Sequence, residues 1–149
     1  MTSSATEMRA LTVRQPYADA IVWGTKTTEN RSRPVPGMHL GSRILIHAAR
    51  LPHASKVTAA GLGLTHAPDV RGAVIGTAIL DSCHQAADGC CAPWGVADSW
   101  HWVLRDARPL PRPVPAVGLL GLWTPDEDVL DDVKVQFWEP TPTAPGAAS

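Results

Sequence analysis

Lys26, Glu29 and Arg31 put three charges of alternating sign within six residues, directly after a short apolar stretch that ends at Gly24. Such a group suits a polar, anionic ligand. A carboxylate flanked by two cations is held in its charged form. It then accepts well from an exocyclic amine, as Glu does from cytosine N4, but is a weak base. Lys26 and Arg31 complement a phosphate or a carbonyl oxygen. A second reading is open: Glu29 and Arg31 simply pair along one strand face, as many surface charges do.

Positioning these side chains needs a helix, a turn and a strand. Gly24 is expected to end the helix as a C-cap. The Thr-rich run 26–31 then reads as a strand in which Thr27, Glu29 and Arg31 share one face. Strict alternation sends Lys26 to the opposite face, so it joins Glu29 only from the turn before the pleat begins. The wider pattern predicts strands over 8–13, 26–31, 43–48, 73–81, 100–105 and 117–123, with helices over 16–23, 53–61 and 126–135. A long loop separates 81 from 100, and a Pro-rich loop precedes 117. Prolines at 16 and 125 sit where a missing N–H is harmless, and Asp126, Glu127 and Asp128 suit a helix start. Six short strands with few helices imply a small closed barrel.

Gly24-x-Lys26-x-x-Glu29-x-Arg31 resembles the GxKxxExR signature of the ASCH domain, a branch of the PUA-like superfamily. Leu11-Thr12-Val13-Arg14-Gln15-Pro16 resembles the family's first strand and Gln-Pro helix start. Ile44-Leu45-Ile46-His47-Ala48 is similar to its second strand, and 100–104 with 118–123 to its closing strands. The resemblance covers roughly residues 9–124. It implies a mainly β fold with flanking α, a PUA-like closed β-barrel of about six strands with two or three short helices. It also implies a cleft between the first helix and the barrel mouth that handles RNA, DNA or modified bases. One bacterial group within the family hydrolyses N4-acetylcytidine with a lysine that activates a threonine three positions later. Lys26 matches that lysine, whereas Glu29 stands at the nucleophile position and Thr28 is one residue away on the opposite face. The group's later glutamate has no counterpart between Glu29 and Glu127, and Asp81 is the nearest substitute.

Charge distribution supports an anionic partner. Residues 1–56 carry eight Lys/Arg against three Asp/Glu, while residues 125–149 carry one against six. Arg9, Arg14, Lys26, Arg31, Arg33, Arg43 and Arg50 form a phosphate-attracting face if the fold gathers them, and an ordinary solvated surface if it does not. Arg14 and Gln15 would line the entrance by a helix N-terminus, or else serve in plain capping and solvation. Six tryptophans accompany one Tyr and one Phe, which invites base stacking. Trp100 and Trp102 share one face of a strand, so at least one is core, and Trp123 ends a buried-looking run; Trp23 and Trp94 are the better stacking candidates, with Tyr17 a core residue or a stacking wall. His47 reads as a barrel histidine or a site residue, and His101 is a further histidine able to titrate near neutrality.

Cys83, His84, Cys90 and Cys91 put four potential metal ligands in one loop, but C-x-x-C spacing is missing and adjacent cysteines converge poorly on one ion. No metal and no cofactor is expected. The odd cysteine count and the want of a hydrophobic leader favour the reducing cytoplasm, and no run approaches a membrane span. The chain is read as one domain over 8–138 with tails at 1–7 and 139–149.

The expected function is nucleic-acid binding, RNA in preference to duplex DNA, or binding of a nucleoside. The expected contacts are Arg14, Gln15, Lys26, Glu29, Arg31, Arg33, His47 and Trp94. If the protein is instead a metal-independent hydrolase acting on RNA or N4-acylated cytidine, Lys26 and Glu29 carry the catalysis. A third reading is a protein-interaction module whose acidic 126–132 helix recruits a basic partner.

Overall fold

A computed structural model describes residues 8–53, 58–87 and 89–145. Six strands, β1 (Ala10–Val13), β2 (Thr28–Arg31), β3 (Arg43–Ala48), β4 (Ala73–Gln85), β5 (Trp100–Pro115) and β6 (Leu122–Trp123), join two helices, α1 (Tyr17–Val22) and α2 (Glu127–Lys134). They form one sheet in the order β2-β5-β4-β3-β1-β6. Only β1 and β3 run parallel, which obliges the chain to cross over through α1 and β2 between them.

The expected closed barrel is not what forms. The sheet is open, with β2 and β6 as its two edges. Closure would need a ladder between β2 and β6, and strands of four and two residues offer few groups to pair. The long β4–β5 pair bends instead, through three register shifts between Val74 and Ser82.

Other expectations shift with this geometry. The Pro-rich stretch before 117 is the second half of β5. Prolines 109, 111, 113 and 115 continue a strand there because β2 covers only Trp100–Val103, and an uncovered edge needs few donors. Residues 117–121 leave the sheet, exposing Val117, Leu119 and Leu120. The helix expected over 53–61 falls partly outside the described residues, and its described end is a 3₁₀ turn at Ala60–Leu62. The tail read at 1–7 also lies outside them, as do residues 146–149. Glu139 is engaged by the Arg112 guanidinium through two bonds, at 2.9 and 2.7 Å. No helix among the described residues is long and apolar enough to cross a membrane.

Alternation divides the core in two. On β3, Ile44 and Ile46 face the cluster built with Ile21 and Val22 of α1, while Leu45 faces the cluster built with Leu130 and Val133 of α2. One helix therefore covers each side of the sheet.

Gly24 does not act as a left-handed cap: α1 is capped by Trp23. Its role is space, since a Cβ there would meet the Leu62 carbonyl oxygen at 2.5 Å and the Ala20 carbonyl oxygen at 2.9 Å. Backbone atoms cannot swing aside as a side-chain tip can. Gly24→Ala should therefore lower unfolding free energy by about 1–3 kcal/mol, measured by urea denaturation; unchanged stability would remove this account of the glycine.

Candidate functional site

The helix ends at Val22, with Trp23 as its cap, and β2 does not begin until Thr28, so Lys26 lies in the turn between them. Its N–H bonds the Ala20 carbonyl at 3.0 Å, which turns the side chain inward. Lys26 thus escapes the strand alternation that would have parted it from Glu29. Its Nζ donates to the Thr28 carbonyl and stands 3.8 Å from Glu29 Oε1. Arg31 approaches the other carboxylate oxygen, with Nε 3.0 Å and Nη2 2.8 Å from Oε2. Arg31 Nη2 also donates to the Thr12 carbonyl at 2.7 Å.

Burial sets the electrostatics. Lys26 is 5 % exposed and Glu29 9 %. Desolvation lowers the Lys26 pKa from 10.5; the Glu29 charge opposes that shift and the Arg31 charge adds to it. The ammonium also faces two aromatic rings, 5.3 Å from the Tyr17 centroid and 5.4 Å from that of Trp94.

These residues form one wall of a cleft of about 1100 Å³. Arg14, Arg50 and His53 join Lys26, Glu29 and Arg31 in lining it, and Leu51, Val96, Leu119 and Leu120 give it an apolar rim. Trp94 is held there from both ends: its indole N–H donates to the Thr25 carbonyl at 3.1 Å, and its own carbonyl accepts from Asn30 Nδ2 at 2.9 Å. Asn30 Oδ1 then accepts from the Val96 N–H at 2.9 Å, so one β2 side chain fixes the loop opposite.

Among the expected contacts, Arg14, Lys26, Glu29, Arg31 and Trp94 meet in the cleft, whereas Gln15, Arg33 and His47 do not line it. Gln15 is 2 % exposed and caps the short helix: its Oε1 accepts from the Asp19 N–H, and its Nε2 donates to Asp19 Oδ1 and the Val70 carbonyl. Arg33 is exposed beyond β2, where its carbonyl accepts from the Trp102 indole. Trp23 packs edge-on against His66, away from the cleft lining. The basic face is likewise only partly gathered: Arg43 pairs with Asp106, and Arg9 bonds Thr124. Asp81 is bound to Arg105 at 2.8 Å. His53 and the Leu119–Leu120 rim escaped sequence reasoning because loops that come together from distant parts of the chain leave no spacing signal, and Asn30 because its partners, Trp94 and Val96, lie on such a loop.

The ASCH domain family model matches residues 11–105 of the chain. The protein belongs to the ASCH domain family. Among solved structures, an ASCH protein from Zymomonas mobilis is 23 % identical with a TM-score of 0.47, covering 95 % of this chain and 86 % of that one. A point variant of the same Zymomonas mobilis protein is 23 % identical with a TM-score of 0.47, over 90 % of this chain and 86 % of that one. No curated protein matches the sequence.

His47 has a different task in this ASCH domain. The Ala116 carbonyl, 2.7 Å from Nε2, can only accept, so Nε2 carries the hydrogen. Thr12 Oγ1 accepts from the Trp123 indole at 2.9 Å and is 3.2 Å from Nδ1, to which its hydroxyl can donate. This relay ties β3, β1 and β6 together around a neutral ring. Burial lowers the His47 pKa from 6.5, against the opposing pull of the Ala116 carbonyl. The unfolded chain therefore takes up this proton at a higher pH than the folded one. The stability contribution is complete above 6.5 and is lost as pH falls below it. Thermal melts should show Tm falling between about pH 7 and about pH 5.5, with a shallower slope in His47→Gln even if that variant melts lower throughout. Parallel slopes would remove His47 from this role.

Proposed function

We propose that this ASCH domain binds RNA by admitting an unpaired nucleotide to the cleft, its base beside Trp94 and Tyr17 and its phosphates toward Arg14, Arg31 and Arg50. The observation that carries this reading is Lys26 Nζ set between the Tyr17 and Trp94 rings and beside Glu29. A flat apolar ring with a polar edge matches a wall of this kind. The Leu51, Val96, Leu119 and Leu120 rim offers exposed apolar surface where a base would otherwise meet water. Single-stranded RNA fits better than a duplex because its bases can leave the stack and present both faces and edges. Arg14 and Arg50 are exposed, so they are suited to phosphate contact without desolvation.

A second reading, metal-independent hydrolysis of RNA or of N4-acylated cytidine, is favoured by the lowered Lys26 pKa. A lysine of that kind holds more neutral amine at working pH, as a general base requires. Against it, Thr28 is 2 % exposed, and the residue three positions after Lys26 is a carboxylate.

Binding to short single-stranded RNA should weaken steeply with salt. The Arg14→Ala, Arg50→Ala double variant should reduce the log–log salt slope by roughly 0.7 for each phosphate that is no longer neutralised. Trp94→Ala should cost about 1–3 kcal/mol of affinity through the missing stacking surface. Salt-independent binding, or wild-type affinity in both variants, would overturn the assignment.

Glu29→Gln separates recognition from simple attraction. Affinity for phosphate-rich homopolymers should persist or tighten, while preference among bases should flatten because the amine acceptor is weakened. Incubation with N4-acetylcytidine in the presence of chelator should give no product. Turnover that disappears in Lys26→Met would move the protein to the hydrolase reading.

A further inference from the structure

We propose that His84, Cys90, Cys91 and His101 form a tetrahedral zinc site that pins the 89–99 loop to the sheet. Their four ligand atoms lie within 4.8 Å of one another. Cys90 Sγ is 3.6 Å from His84 Nε2 and 3.1 Å from His101 Nδ1, and Cys91 Sγ is 3.4 Å from His84 Nε2. Zinc–sulfur bonds of about 2.3 Å and zinc–nitrogen bonds of about 2.0–2.1 Å at tetrahedral angles put ligand atoms roughly 3.3–3.8 Å apart. The cluster needs little contraction to reach that geometry.

Adjacent cysteines diverge in extended backbone, which is why their spacing argues against a shared ion. Here Cys91 has a φ of 60°, in the left-handed region, and the chain reverses there. Trp94 N–H and Gly95 N–H both bond the Cys91 carbonyl, at 2.9 and 2.8 Å. Both sulfurs consequently face the same imidazole. The two histidines converge through register: His84 on β4 pairs directly with His101 on β5. Cys83, one residue earlier, faces the opposite way and accepts from the Val35 N–H.

The surrounding bonds prepare the ligands. The Val96 carbonyl lies 2.8 Å from His101 Nε2 and can only accept, so in the neutral ring the Nδ1 lone pair points at Cys90. Such an outer acceptor is what fixes a metal-binding tautomer. The Ala87 N–H donates to Cys90 Sγ at 3.3 Å, which helps to fix the direction in which that sulfur points. Gly95 leaves the cluster room, since a Cβ there would meet His101 Cε1 at 2.6 Å and Cys91 Cβ at 2.9 Å. Two sulfurs and two imidazoles match zinc rather than a hard cation. Four protein ligands leave no open position, so the ion holds structure and does no catalysis.

The test uses untagged full-length protein, stripped with chelator, with all of its thiols shown to be reduced. Cobalt(II) should bind one equivalent per chain and give thiolate-to-cobalt charge transfer with intense tetrahedral d–d bands, which one equivalent of zinc then displaces. Zinc should raise Tm. The Cys90→Ser, Cys91→Ser double variant and His84→Gln should lose the tetrahedral spectrum, and Cys83→Ser should keep it. Weak octahedral cobalt bands in the reduced wild type, or a tetrahedral spectrum that survives in the double variant, would overturn the proposal. The wild-type spectrum decides even if a variant fails to fold.

Discussion

An open sheet that must curl without closing needs something to hold its ends near each other, and in this protein that is the Arg31 guanidinium. Arg31 lies on the edge strand β2, yet donates to the Thr12 carbonyl on β1, next to the opposite edge. Its second obligation is Glu29, at 2.8 Å. Bonding a carbonyl and a carboxylate with one rigid planar fork suits arginine and not lysine. The cleft lies along the gap so bridged, with Thr12, Val13 and Arg14 on one bank and Glu29, Asn30 and Arg31 on the other.

Burial explains why Glu29 must sit between the cations. Two positive groups sharing a nearly dry wall would repel each other and desolvate together, and a carboxylate between them makes the assembly tolerable. The remaining net charge is one positive, presented at the bottom of an apolar-rimmed cleft. Lys26 is 5 % exposed, and this burial is what lowers the pKa of its ammonium. A ligand oxygen or base edge would supply the solvation that burial removed.

Sequence reasoning reached β3 to the residue, because Ile44-Leu45-Ile46 is an unbroken apolar run with clear punctuation. It also placed Lys26, Glu29 and Arg31 together, since all three belong to one short segment. It failed where long-range geometry decides. Prolines that mark loops in isolation continue β5 as an uncovered edge. Barrel closure depends on the combined curvature and length of six strands, which no single segment encodes. The chain order put Cys83 next to His84 among the candidate ligands, but antiparallel register sets His101, seventeen residues on, beside His84 instead. Gln15 and His47 carry site-like chemistry but are consumed by hydrogen bonds that only the folded chain supplies.

The β2–β5 register links the cleft to the cysteine–histidine cluster. Glu29 pairs with Trp102, and Asn30 with His101. On one side of β5, Trp102 lies beneath Arg31, its ring centroid 6.0 Å from the guanidinium carbon. On the other side, His101 meets Cys90, while its partner Asn30 grips Trp94 and Val96. Alternation makes both placements one decision, because a slip of one residue would turn Trp102 toward the cysteines and His101 toward the core. The loop that carries Trp94 is therefore held at its neck by the Ala86–Ser99 backbone bond, at its flank by Asn30 and at its base by the cluster. Such redundancy suits the stacking role proposed for Trp94. An aromatic ring on a long loop gives up conformational entropy when it meets a ligand, and a ring already fixed in place has little left to lose.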